Sequence, residues 1–113
     1  MTRLTVDGQL TPLHVYEATG FWTRARGLLG RTRLADHEAL WIRPCNSVHT
    51  IGMGYPIDLL FMDREQRVLR VLHRVEPLRL ATSRGAHSTM ELAAGTAKAL
   101  ALRPGSFVEK VNP

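Results

Sequence analysis

Hydrophobic and polar positions alternate along this chain in short runs, most of them too short for a helix. Leu4–Val6 and Leu13–Glu17 read as strands around a turn at Asp7–Gly8. Phe21, Trp22, Ala25, Leu28 and Leu29 recur at helical spacing and predict a short helix over Phe21–Leu29. Ala39–Ile42 predicts a strand stopped by Pro44. Gly52, Gly54 and Pro56 make Asn46–Pro56 a loop or a bulged strand. Ile57–Met62 is a strand, Asp63–Arg67 a polar turn, and Val68–Val75 the returning strand of a hairpin. Glu76–Gly85 is a connection containing Pro77, and Ser88–Ala93 is a further strand. Thr96–Leu102 is alanine-rich and ends before Pro104–Gly105, which predicts a second short helix before a last strand, Ser106–Val111. Many short strands with two short helices indicate an α+β fold built on antiparallel pairing.

Two acids interrupt this pattern. In Ile57–Met62, Asp58 alternates onto the face of Leu60 and Met62, while Ile57, Leu59 and Phe61 take the other. Glu91 lies between Met90 and Leu92 and shares its face with Thr89 and Ala93. A carboxylate among apolar side chains must be hydrogen-bonded or paired, because an isolated buried charge is very costly. Each acid is therefore expected to be buried against an arginine or several backbone donors. Arg24 and Arg31, seven residues apart on one flank of the predicted helix, are the natural partners. A purely structural ion-pair network is the simpler outcome. Arginines not fully consumed by the acids would instead form an anion pocket.

Length and composition narrow the classes. At 113 residues the chain is expected to be one domain, 1–113, burying roughly two-thirds of its unfolded surface. It is 44% hydrophobic and 22% charged, ordinary for a globular protein. No run reaches the roughly 18 apolar residues of a membrane span, and the first twenty residues lack the apolar centre of a signal peptide. A cytoplasmic location without membrane association is expected. The net charge is +5, and arginine supplies 13 of the 15 basic residues, a bias that a GC-rich genome also produces. The arginines are scattered, with only Arg24–Arg33 approaching a patch. Nucleic-acid binding therefore has electrostatics without a recognition motif, and no specific nucleic-acid partner is expected.

The stretch Trp41–Asp63 concentrates the remaining reactive types. Cys45, His49 and Met53 recur every four residues, which on a helix would make a copper(I)-like face, but Pro44, Gly52 and Gly54 oppose that helix. Cys45 or Ser47 with His49 and Asp58 supplies the types for nucleophilic catalysis in an order that fits no known arrangement. Cys45 is the only cysteine, which excludes an internal disulfide, and it is expected to behave as a small hydrophobe. GxxxxGK[ST] and GxGxxG are both absent, so no nucleotide-type cofactor is expected, nor any metal.

Three blocks of residues carry a resemblance. Arg24-Ala-Arg-Gly-Leu-Leu-Gly-Arg31, His49-Thr-Ile-Gly-Met-Gly-Tyr-Pro-Ile-Asp58 running into Leu-Leu-Phe-Met-Asp63, and Met90-Glu-Leu-Ala-Ala-Gly95 together resemble the domain of unknown function 192 family of bacterial and archaeal proteins. The matches include Arg24, Arg31, Pro56, Asp58, Glu91 and Gly95. The resemblance implies a compact α+β domain with a barrel-like antiparallel sheet, and it brings no activity with it. The chain departs from the family pattern in three respects. Many relatives are exported. The turn Asp63–Arg67 has no glycine, and Gly105-Ser106 stands where Gly-Asp is common.

Together these features indicate non-catalytic binding of a small anionic ligand or a protein partner. The expected site is lined by Arg24, Arg31, His49, Asp58 and Glu91. The alternatives are an enzyme using Cys45 or His49, and an arginine-driven, non-specific nucleic-acid binder.

Overall fold

The computed structural model describes residues 2–18, 34–49, 54–77 and 79–113. Nine strands occur in the order β1 (Arg3–Val6), β2 (Gln9–Ala18), β3 (Glu38–Ile42), β4 (Ser47–His49), β5 (Ile57–Met62), β6 (Val68–Val75), β7 (Leu80–Thr82), β8 (Ser88–Ala93) and β9 (Val108–Val111). The one described helix, α1 (Thr96–Ala99), lies between β8 and β9. Seven strands form one sheet in the order β6-β5-β8-β3-β2-β1-β9, and β4 and β7 make a separate two-stranded sheet.

The central strands are covered on both faces, so all six residues of β5 and all six of β8 are buried. On one face Trp41, Leu60, Met62, Met90 and Leu92 build a core with Ala97 and Leu102. On the other, Leu40, Ile42, Ile57, Leu59 and Phe61 build a second core with Val48 and Ala81. The alternation expected for β5 is the one observed.

The predicted architecture needs three corrections. The sheet is not wholly antiparallel: β2 and β3 pair in parallel, from His14↔Glu38 to Ala18↔Ile42, and the long connection between them is what a parallel pair requires. Nor does the sheet close into a barrel. Its edge strands meet at one end only, through the isolated bridge Arg67↔Phe107 and bonds from Val68 N–H to the Ser106 carbonyl (2.8 Å) and Val108 N–H to the Gln66 carbonyl (3.1 Å). Third, among the described residues, which are mostly β, the one short helix ends earlier than predicted. Phe21–Leu29 lies outside the described residues, and α1 stops at Ala99 instead of Leu102. Ala101 takes φ 53, Ala101 N–H bonds the Lys98 carbonyl (3.0 Å) and Leu102 N–H the Ala97 carbonyl (2.9 Å). That is a Schellman ending with alanine in the left-handed position where glycine is usual.

Two departures from the family pattern have local explanations. In the turn Asp63–Arg67 the left-handed residue is Gln66 (φ 67). Asp63 Oδ1 holds the turn by accepting the N–H groups of Glu65 and Arg67, both at 2.9 Å. Ser106 Oγ accepts the Arg103 N–H at 3.1 Å, a bond an aspartate could also accept.

Candidate functional site

Of the five residues expected at one site, Asp58 is fully buried, at 0% exposure, and its environment is complete. Its Oδ1 accepts the backbone N–H of Arg74 at 2.8 Å; its Oδ2 accepts those of Gly95 (3.0 Å) and Ala97 (2.9 Å). The last two belong to the opening of α1, where Gly95, at φ 93, has no side chain to cap the helix. Asp58 performs that capping from another strand. Arg74 sits in a bulge of β6: Ile57 pairs with Val75 and Leu59 with Leu72, leaving an extra residue between them. Its φ of 50 turns its N–H inward. The carboxylate therefore joins strand β5, the β6 bulge and α1. Its donors are backbone groups.

Glu91 is also buried, 1% exposed, but on the opposite face. In the register of β5 and β8, Asp58 faces Leu92, and Glu91 faces Leu59. On its other side Glu91 faces Leu40 of β3. Asp58 belongs with the first core and Glu91 with the second, so the two carboxylates do not share a site. The backbone of His49 pairs with Leu80 at the end of β4. Arg24 and Arg31 lie outside the described residues. Cys45 is half-buried and donates its thiol to the Ser47 carbonyl at 3.2 Å. Among the described residues no cluster of three histidine, cysteine, aspartate or glutamate side chains could hold a metal ion. No described helix is long and apolar enough to cross a membrane.

Sequence reasoning missed a concave feature with arginines in its lining. A groove of about 440 Å³ lies between the outer half of β6 and β7, lined by Arg70, Arg74 and Arg79 together with Leu72, Val75 and Leu80. Glu76 is the acid in its lining. Arg70 Nη1 donates to the Thr82 carbonyl at 2.8 Å, which fixes the guanidinium across the groove and leaves most of its five N–H donors available. Among the described residues no carboxylate pairs with Arg70 or Arg74. Alternation along β6 puts Arg70 and Leu72 on one face, the signal that could have found it, whereas Arg74, in the bulge, brings its guanidinium against Gly95. The partner, β7, is three residues long and sits in what reads as a connection. Two other hollows, of about 370 and 320 Å³, flank α1; the larger has Arg103 and Asp7 in its lining and the smaller Asp36.

A second charged cluster lies on the exposed side of the sheet. Glu17 of β2 accepts hydrogen bonds from Arg43 beside β3 and from Lys110 of β9. Partial burial alone would raise its pKa, but the bonds from Lys110 and Arg43 outweigh it and hold the carboxyl below its ordinary 4.5. A depressed pKa means that the stabilisation is present above the unfolded value and is lost as pH falls through the folded one. Glu17→Gln is therefore expected to cost about 0.5–1 kcal/mol at neutral pH and low salt, as for partly exposed pairs. That difference should shrink below pH 4.5 and in molar salt, as read by urea titrations at several pH values. A difference unchanged at pH 3 would show that the pair contributes nothing through charge.

Known structures share the fold. A protein of unknown function from Novosphingobium aromaticivorans superposes with a TM-score of 0.81 at 24% identity, over 95% of this chain and 83% of its own. A protein from Sinorhizobium meliloti named as a candidate transcription regulator superposes with a TM-score of 0.83 at 25% identity, over 96% of this chain and 91% of its own. No curated protein matches the sequence. The family model described as DUF192, uncharacterized ACR, matches residues 2–110, and the chain belongs to that family.

Proposed function

We propose that this protein binds a small anionic ligand without transforming it, at the groove between β6 and β7. One observation carries the reading: the Arg70 guanidinium, held by the Thr82 carbonyl, lines a concave surface whose volume, about 440 Å³, lies in the range of small-molecule sites. Guanidinium groups match carboxylate and phosphate oxygens in paired hydrogen bonds. The contact from Arg70 to Thr82 supports preorganisation. The non-catalytic part of the reading is supported by the Cys45 thiol, which is engaged with a backbone carbonyl. A transcription-regulator role, by analogy with the Sinorhizobium protein, has less behind it. The described helix has four residues, short of the recognition helices that read a major groove.

The reading is tested by calorimetric titration of the native protein with inorganic phosphate and citrate, and with duplex DNA as a third arm. Arg70→Ala should weaken anion binding about tenfold or more, since a charge-assisted hydrogen bond contributes about 1.5–3 kcal/mol. Arg70→Lys should fall between, keeping the charge and losing the fork. Anion affinity unchanged by Arg70→Ala would move the site elsewhere. Sequence-selective DNA binding at physiological salt would favour the regulator reading.

A further inference from the structure

The first half of β2 is an open edge within the sheet. Asp7 and Gly8, both at positive φ, make a two-residue hairpin turn, and Val6 and Gln9 close it as the hydrogen-bonded pair. The next pair, Thr5↔Leu10, is then a non-bonded one, so the N–H and C=O of Leu10 point away from β1. On that side β3 begins only opposite His14, whose N–H bonds the His37 carbonyl at 2.7 Å. Among the described residues, Gln9–Leu13 has no strand beside it there, and Leu10 is 50% exposed. The two hollows of about 370 and 320 Å³ run along this stretch, between β2 and α1, and share Pro12 and Leu100 in their linings. The one at the hairpin end includes Arg103 and Asp7, and the one toward β3 includes Asp36. Asp7 is occupied, since its Oδ1 accepts the Phe107 N–H at 2.9 Å. Among the described residues no carboxylate pairs with Arg103 and no cation with Asp36.

We propose that this edge takes up a short extended peptide as an added strand, with the peptide's free carboxyl terminus at Arg103. Backbone groups supply the recognition, as in other cases of strand addition: Leu10 offers one N–H and one C=O to the peptide. Charge sets the direction. A peptide antiparallel to β2 brings its carboxylate to Arg103 and a basic residue at its start to Asp36, whereas a parallel one would set carboxylate against carboxylate. Length is limited too, because Gln9–Leu13 spans about 13 Å at strand spacing, room for about four or five residues. Pro12 alternates onto the same edge as Leu10 and has no N–H, so a long strand or the sheet of a second copy finds little more to pair with.

The probe is the peptide acetyl-Lys-Thr-Val-Thr-Val with a free carboxyl terminus, titrated calorimetrically into the native protein beside its C-terminal amide. The amide should bind about tenfold more weakly or worse, the size of one charge-assisted hydrogen bond. Arg103→Ala should weaken the acid to the level of the amide and leave the amide as it was. Single N-methylations along the peptide should alternate in effect: affinity is lost where the peptide N–H meets the Leu10 carbonyl and kept where it faces away. Hydrogen exchange of the Leu10 amide should slow when the peptide is bound. Equal affinity for acid and amide overturns the proposal, as does methylation that costs the same at every position. So does the absence of binding at millimolar peptide. Protection of the Leu10 amide that grows with protein concentration in the absence of peptide also overturns it, because a second copy would then be the occupant.

Discussion

Asp58→Ala is expected to lower the unfolding free energy by about 3–5 kcal/mol, the range for removing one side of a buried charged interaction. The loss is large because the partners cannot leave. The N–H groups of Arg74, Gly95 and Ala97 are fixed by the β6 bulge and the start of α1, and alanine would leave all three without acceptors in a dry site. Asp58→Asn discriminates this account from simple loss of volume. It keeps the shape but turns donor hydrogens toward N–H groups, and it should still cost about 2 kcal/mol or more. Urea unfolding measures both, with the slope of the transition unchanged if the native fold persists. A loss below 1 kcal/mol for the alanine variant would mean that water or another group takes over the three donors.

Trp41→Ala should cost a similar amount, about 3–5 kcal/mol, by a different route. Trp41 is fully buried at the centre of the first core. Its indole N–H donates to Ser88 Oγ at 3.0 Å, and the Arg43 guanidinium lies 4.3 Å from the ring centroid. Alanine would open a cavity in the middle of the sheet, unhook Ser88 and leave Arg43 without the surface it stacks on. Trp41→Phe retains most of the ring and should lose about 1–2 kcal/mol, chiefly the hydrogen bond. A thermal and urea comparison of the two variants separates packing from polar contact; equal losses would contradict the cavity argument.

These two residues show what a sequence can reveal and what it leaves hidden. The limits of β5, β6 and β8 follow from their patterns, because each is bounded by turn residues, with β5 and β8 buried along their whole length. The need of Asp58 for partners is equally legible, since a carboxylate between Ile57 and Leu59 has nowhere else to go. The partners themselves are not legible, because backbone N–H groups are common to nearly all residues and only topology brings Arg74, Gly95 and Ala97 to one carboxylate. The pairing of Asp58 with Glu91 into one site failed on parity. Two strands read separately do not disclose their mutual register, and a shift of one residue exchanges faces. With Asp58 opposite Leu92, Glu91 must point the other way. The arginine groove was hidden for a related reason: β7 pairs with β4 rather than with the main sheet, and three residues carry too little pattern to announce a strand.

The meeting of the sheet's two edges bears on how the chain folds as it is synthesised. Residues 105–111 serve both edges: Val108–Val111 zip onto β1, and Gly105–Val108 fasten the start of β6. Ribosomal synthesis delivers this segment after every other strand. Until it emerges, β1 and β6 both present open backbone edges, the surfaces on which nascent chains aggregate. The register pair Arg3↔Val111 spans nearly the whole chain, and such distant closure is slow. A nascent chain stalled before Ser106 would thus lack the closing segment at both edges at once, so one late stretch of chain completes both sides of the sheet together.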